Sequence, residues 1–204
     1  MRGFSELFHQ LDQMTKTGDR IDCMASFFRE TDVRDAGWAA WFLAGNRIKG
    51  AVRTGELRQW AAQRANLPLW LLEESYERVG DLAETISLLV RGDPQAMSMS
   101  LSEIVEQILY PLVTADSAEK QNILMEVWNQ LRPIDLLPFH KLLTGGFRIG
   151  VSRGNLCKAL AVVADVEPAV ISQRISGDWD PRVRTYDRIV GEERAEDAWC
   201  RPFP

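Results

Sequence analysis

The sequence is poor in the residues that do covalent chemistry. It holds two histidines, His9 and His140, and three cysteines, Cys23, Cys157 and Cys200, in 204 residues. Neither histidine has a His or Cys neighbour at metal-ligand spacing, so no metal site is expected. Cysteines that are scattered and odd in number do not make a disulfide framework. They fit a reducing compartment, and the expected location is the cytoplasm. No apolar run approaches the roughly 20 residues of a membrane-spanning helix. Met1-Arg2-Gly3 leads straight into an amphipathic segment, which leaves no visible signal peptide. No nucleophile elbow is expected. Alternating strand patterns are missing as well, apart from Arg148-Ile149-Gly150-Val151, which has the makings of a short extended stretch.

What is present is helical periodicity. Phe4, Leu7, Phe8 and Leu11 are spaced i, i+3, i+4, i+7, as are Ile21, Met24, Ala25 and Phe28. Ile104, Val105, Ile108, Leu109 and Leu112 form a further stripe, followed by Ile123, Leu124, Val127, Trp128 and Leu131. Short breaks separate the stripes, and Asp81, Ser102, Asp116 and Ser152 are predicted N-caps. The pattern predicts an all-α fold of about a dozen helices. Trp38, Trp41, Trp60, Trp70 and Trp128 sit at helical spacing and are assigned to the core. Trp179 borders a turn and stays open.

The chain also repeats itself. LAGNRIKGAVRTGELRQWAAQ from Leu43 is echoed by LTGGFRIGVSRGNLCKALAVV from Leu143. Leu43 and Gly45 match Leu143 and Gly145, Gly55 and Leu57 match Gly154 and Leu156, and Pro68 matches Pro168. Gly80-Asp81 recurs as Gly177-Asp178. Helical solenoids usually repeat every 20–50 residues. A spacing near 100 instead predicts two pseudo-symmetric halves, roughly 1–92 and 100–191, with 192–204 as a linker.

Charge follows the repeat. Between Gly45 and Arg64 five bases face Glu56 alone, and Lys141 to Lys158 holds four bases and no acid. Glu73 to Glu126 holds eleven acids and three bases, in a chain of net charge -5. Each basic block is a Gly-containing loop that opens a helix, where free N–H groups and the helix dipole favour an anion. These are the ingredients of phosphate-backbone binding. A nucleotide P-loop is excluded, because Gly45 to Gly50 and Gly145 to Gly150 have its glycine spacing but not the Lys-Ser/Thr that follows.

With loops, caps and charges in place, the sequence resembles the N-terminal DNA-binding domain of ATP-dependent DNA ligases, most of all the bacterial ligases that accompany large helicases. The resemblance covers nearly the whole chain. It is carried by WAAWFLAGNRIKG at 38–50, LPLWLLEESYERVGDLAETISLLV at 67–90, KLLTGGFRIGVSRGNLCKALA at 141–161 and the closing Arg201-Pro202-Phe203-Pro204. It implies an all-helical domain that holds nicked duplex DNA through the minor groove and the phosphates, without sequence preference, in DNA repair, replication or recombination. The site it implies is Arg47, Lys49, Arg53 and Thr54 on one loop, and Lys141, Thr144, Gly145, Gly146, Arg148, Gly150, Ser152, Arg153 and Lys158 on the other.

One departure is plain: the K-x-D-G motif whose lysine takes up AMP in such ligases does not occur here. No catalytic residue and no cofactor are therefore expected in this segment. ATP and Mg2+ are implied only for a parent ligase, whose nucleotidyltransferase domain is the expected partner beside nicked DNA. A monomer is expected, with no membrane partner. The competing expectation is a helical protein–protein interaction module whose acidic middle is the contact surface and which binds no nucleic acid.

Overall fold

The computed structural model describes residues 1–96, 99–145, 149–177, 179–182 and 185–191. Among these the chain is all-α, with twelve helices and no strand. The first six are α1 (Arg2–Gln13), α2 (Thr17–Glu30), α3 (Val33–Leu43), α4 (Thr54–Arg64), α5 (Leu69–Val79) and α6 (Leu82–Leu89). The next is α7, a continuous run of Leu101–Glu103, a π-helical stretch Ile104–Leu109, and Tyr110–Thr114. Then come α8 (Ser117–Gln130), α9 (Pro133–Thr144), α10 (Arg153–Ala164), α11 (Pro168–Arg174) and α12 (Tyr186–Val190). None of the described helices is long and apolar enough to cross a membrane. The wider π turns of α7 run up to Pro111, whose missing N–H and bulky ring break the regular ladder at the same place.

Side-chain caps close five of the twelve described helix starts. Asp81, Asp116 and Ser152 accept from the N–H of Glu84, Glu119 and Asn155, so all three predicted caps form. The fourth prediction is corrected. α7 is capped by Ser100, in a capping box with Glu103. Ser102 lies inside the first turn, and its Oγ donates to Asp35 at 2.7 Å. Asp35 also accepts from the N–H groups of Leu101 at 2.9 Å and Ser102 at 2.8 Å. A carboxylate on α3 thus closes the start of α7, far away in sequence. At the position 100 residues on, Asp135 is buried and takes two bonds from Arg132, at 2.8 and 3.0 Å.

One hydrophobic cluster runs through the molecule, with Trp38, Trp128, Phe8, Phe42 and Phe139 among its largest fully buried side chains. Trp60 and Trp179 are buried too, and Trp41 is half-buried, its indole N–H donating to the Trp179 carbonyl at 2.8 Å. Trp70 departs from the expectation: it is 64% exposed. The reason is its helix, since α5 buries only Leu72 completely and turns Trp70 away from the core.

Helix packing crosses the chain. α2 packs on α10 and α8 on α4; α6 packs on α9 and α12 on α3; α1 packs on α9 and α7 on α3. Each pair recurs when both helices are shifted by six places in the order. Polar contacts support the α4–α8 seam, with Arg64 donating to Asn129 at 2.6 Å and Gln121 to Gln63 at 2.8 Å.

Candidate nucleic-acid interface

The two Gly-containing loops are built alike where their residues are described. The first follows α3: Gly45 turns the chain with positive φ, Ile48 dips into the core, Gly50 turns again, and α4 begins after Arg53. The second follows α9: Gly145 is the left-handed cap, Ile149 is buried, Gly150 turns again, and α10 begins after Ser152. Each buried isoleucine pins a loop whose flanks stay in solvent. Burying a side chain of that size is worth about 2 kcal/mol.

The loops, about 100 residues apart in sequence, share one cleft of about 310 Å³. Arg47, Lys49 and Gly50 line it from one side, and Leu143, Thr144 and Gly145 from the other. The Arg47 stem lies across Gly145, where an added Cβ would stand 3.0 Å from Arg47 Cδ. Gly145 is therefore needed twice, for its φ of 72° and for this crossing.

The sequence-predicted residues divide on inspection. Arg47, Lys49, Arg53, Thr54, Gly150, Ser152, Arg153 and Lys158 are exposed. Gly146 and Arg148 lie outside the described residues. Lys141 is turned inward: its side chain is 13% exposed, and its ammonium pairs with Asp81 at 2.5 Å. Burial works against ionisation of Asp81, but the Lys141 ammonium and the N–H groups of Glu84 and Ala83 outweigh it and hold the carboxyl below its usual range. Thr144 Oγ1 donates to the His140 carbonyl at 2.8 Å, so its hydroxyl proton is committed to the helix. One Arg153 nitrogen donates to the Ile175 carbonyl at 2.5 Å.

Two glycine carbonyls have partners that sequence reasoning missed. Arg20 Nη1 donates to the Gly150 carbonyl at 2.9 Å, and Lys120 Nζ donates to the Gly50 carbonyl at 3.3 Å. Both cations lie 100 residues apart, as do the two glycines. That shared offset was the signal available in the sequence.

The helix starts differ in how they meet an anion. Ser152 Oγ accepts from the Asn155 N–H at 3.2 Å and closes part of the α10 terminus. Arg53 gives α4 no side-chain cap, so first-turn N–H groups there are left for solvent or an anion. Gly150-Val151-Ser152-Arg153-Gly154 carries the G-x-S-x-G residue spacing on which a nucleophile elbow is built. The elbow needs a strand running into the turn. No strand exists among the described residues, and Ser152 is occupied as a helix cap.

The arrangement offers charge, close backbone approach and hydrogen-bond donors at one place. Comparison with curated proteins finds no match. A family model described as DNA ligase N terminus matches residues 1–161, which span α1 to all but the end of α10 and include both loops and the cleft between them. The chain belongs to the DNA ligase N-terminal family.

Proposed function

We propose that this domain grips duplex DNA at a nick through phosphates and the minor groove, without reading sequence, as the DNA-binding part of an ATP-dependent ligase. One observation carries the reading: the first basic, Gly-containing loop, with Arg47 and Lys49, and the start of the second, Leu143 to Gly145, line a single cleft although they lie about 100 residues apart. In this reading Arg47, Lys49 and Arg53 neutralise phosphates from one side, and Arg148, Arg153 and Lys158 from the other. Thr54 and Ser152 stand at helix starts that present N–H groups to the backbone. Lys141, held by Asp81, supports α9 rather than leading the contact. The two halves act as paired grips, consistent with the recurring helix contacts. The domain acts as a monomer in the cytoplasm and serves nick sealing in repair, replication and recombination.

Adenylyl transfer belongs to a nucleotidyltransferase domain of the parent ligase. In this reading the segment holds no cofactor of its own, since its glycine-spaced stretches lack the following lysine of a nucleotide-phosphate loop. Among the described residues no group of three or more His, Cys, Asp or Glu side chains is placed to hold a metal ion.

The test is a binding titration of fluorescent nicked duplex against salt. Neutralising about 4–6 phosphates gives a log–log slope of about −4 to −5. Affinity that does not change with salt sinks the reading. A second reading, a protein-interaction module, is favoured by one observation: the acidic helix α5 carries Trp70 at 64% and Leu71 at 36% exposure. Failure to bind any nucleic acid at low salt would select it.

A further inference from the structure

We propose that Arg20 and Lys120 are positioning residues, each holding the DNA-facing loop that the other copy of the repeat supplies. The inference rests on the DNA-binding reading above and adds to it the part that sets loop geometry. Arg20, near the start of α2, reaches the Gly150 carbonyl at 2.9 Å and the Met14 carbonyl at 2.5 Å. It ties the second loop to the α1–α2 turn. Lys120, near the start of α8, reaches the Gly50 carbonyl at 3.3 Å. It ties the first loop to the second half of the chain. The two clasps correspond residue by residue at an offset of 100, on helices that pack on α10 and α4, the helices those loops open.

The chemistry suits the task. In both loops a glycine with positive φ comes shortly after a buried isoleucine, directly at Gly150 and one residue beyond at Gly50, and its carbonyl is the group the cation holds. At Gly150 the fit is close: an added Cβ would stand 2.6 Å from Arg20 Nη1. A side chain there would push the guanidinium off the carbonyl. A cation that holds a carbonyl also offsets that group's negative dipole in a loop meant to face phosphates. The loops thus arrive at DNA already shaped, and less ordering entropy is lost on binding.

Two measurements test the clasps. Hydrogen exchange on the free protein should quicken across 149–153 in Arg20→Met and leave 48–53 unchanged. Lys120→Met should do the reverse. Each variant should bind nicked duplex roughly tenfold more weakly, the size of one lost hydrogen bond to a charged group. Arg20→Lys and Lys120→Arg should recover most of that loss. Gly150→Ala opens the Arg20 clasp from the other side, so the test survives if Arg20→Met does not fold. Equal quickening in both loops from either variant overturns the proposal, as it reports general destabilisation. Loosened loops with unchanged DNA affinity overturn it as well, leaving a structural role only. Wild-type protein that binds no DNA fails the functional reading itself, and the positioning role falls with it. Exchange measured without DNA keeps these outcomes apart.

Discussion

His140 shows how much a single buried polar residue can govern. It is fully buried between α6 and α8, and the Trp128 indole N–H donates to its Nε2 at 2.8 Å. Its Nδ1 lies 2.8 Å from Ser87 Oγ, which in turn donates to the Ala83 carbonyl at 2.6 Å. These partners suit the neutral ring with its proton on Nδ1. Burial pushes the ring pKa down to about 3. The unfolded chain titrates at the ordinary value of 6.5, so between 6.5 and about 3 it binds a proton that the native state refuses. Stability is therefore complete above 6.5 and falls with pH below it, by up to about 1.4 kcal/mol per pH unit from this group. Urea melts of wild type and His140→Gln between pH 4.5 and 7 check this. A variant that is less stable at pH 7 but loses stability more slowly below 6.5 is the expected outcome. At the interface, Lys49→Ala should weaken DNA binding equally for all sequences and reduce the salt slope by about 1. Its melting temperature should stay near wild type, because the side chain is exposed. Lys141→Met should behave the other way, costing about 1 kcal/mol of stability through the lost Asp81 pair and less affinity than Lys49→Ala.

At the scale of elements, the bond between α3 and α7 is the sharpest test of what holds the fold. Asp35 accepts three hydrogen bonds at the start of α7, all between 2.7 and 2.9 Å. Asp35→Ala leaves two N–H groups and a hydroxyl without their partner in a buried place. A loss of about 2–3 kcal/mol is expected, read from chemical denaturation. The same element shows where sequence reading stops. Caps at Asp81, Asp116 and Ser152 were legible because the N–H they hold lies three residues away. Ser102 misled because its partner, Asp35, is 67 residues distant. Trp70 misled for a related reason: periodicity gives a stripe but does not say whether another helix covers it. The loops were legible through their glycines and charges. Inward-turned Lys141 was not, because its ion pair with Asp81 joins two helices that only the fold brings together.

For the whole molecule, the repeat in the sequence and the contacts in space tell different parts of one account. The repeat was visible because glycine and proline mark turns at matching places. The exchange of helices was invisible, because no local pattern records which partner a helix takes. In space α2 leans on α10, α6 on α9, and α3 on α7 and α12. A fragment ending at residue 92 keeps α1 to α6 and loses every one of those partners. The buried faces of α2, α3 and α6 would then meet water, at a cost of roughly 25 cal/mol for each Å² of apolar surface. Helices of this length are marginal without tertiary packing. The fragment 1–92 is therefore expected to show little helical circular dichroism alone. Mixing it with 100–191 should restore the signal, because every missing partner is on that piece. The intact chain should unfold with coincident transitions by circular dichroism and tryptophan fluorescence, since one cluster joins both copies. An autonomously helical, cooperatively melting 1–92 would show instead that each copy folds by itself. The grip on DNA would then come from docking two finished units rather than from loops that each copy completes for the other.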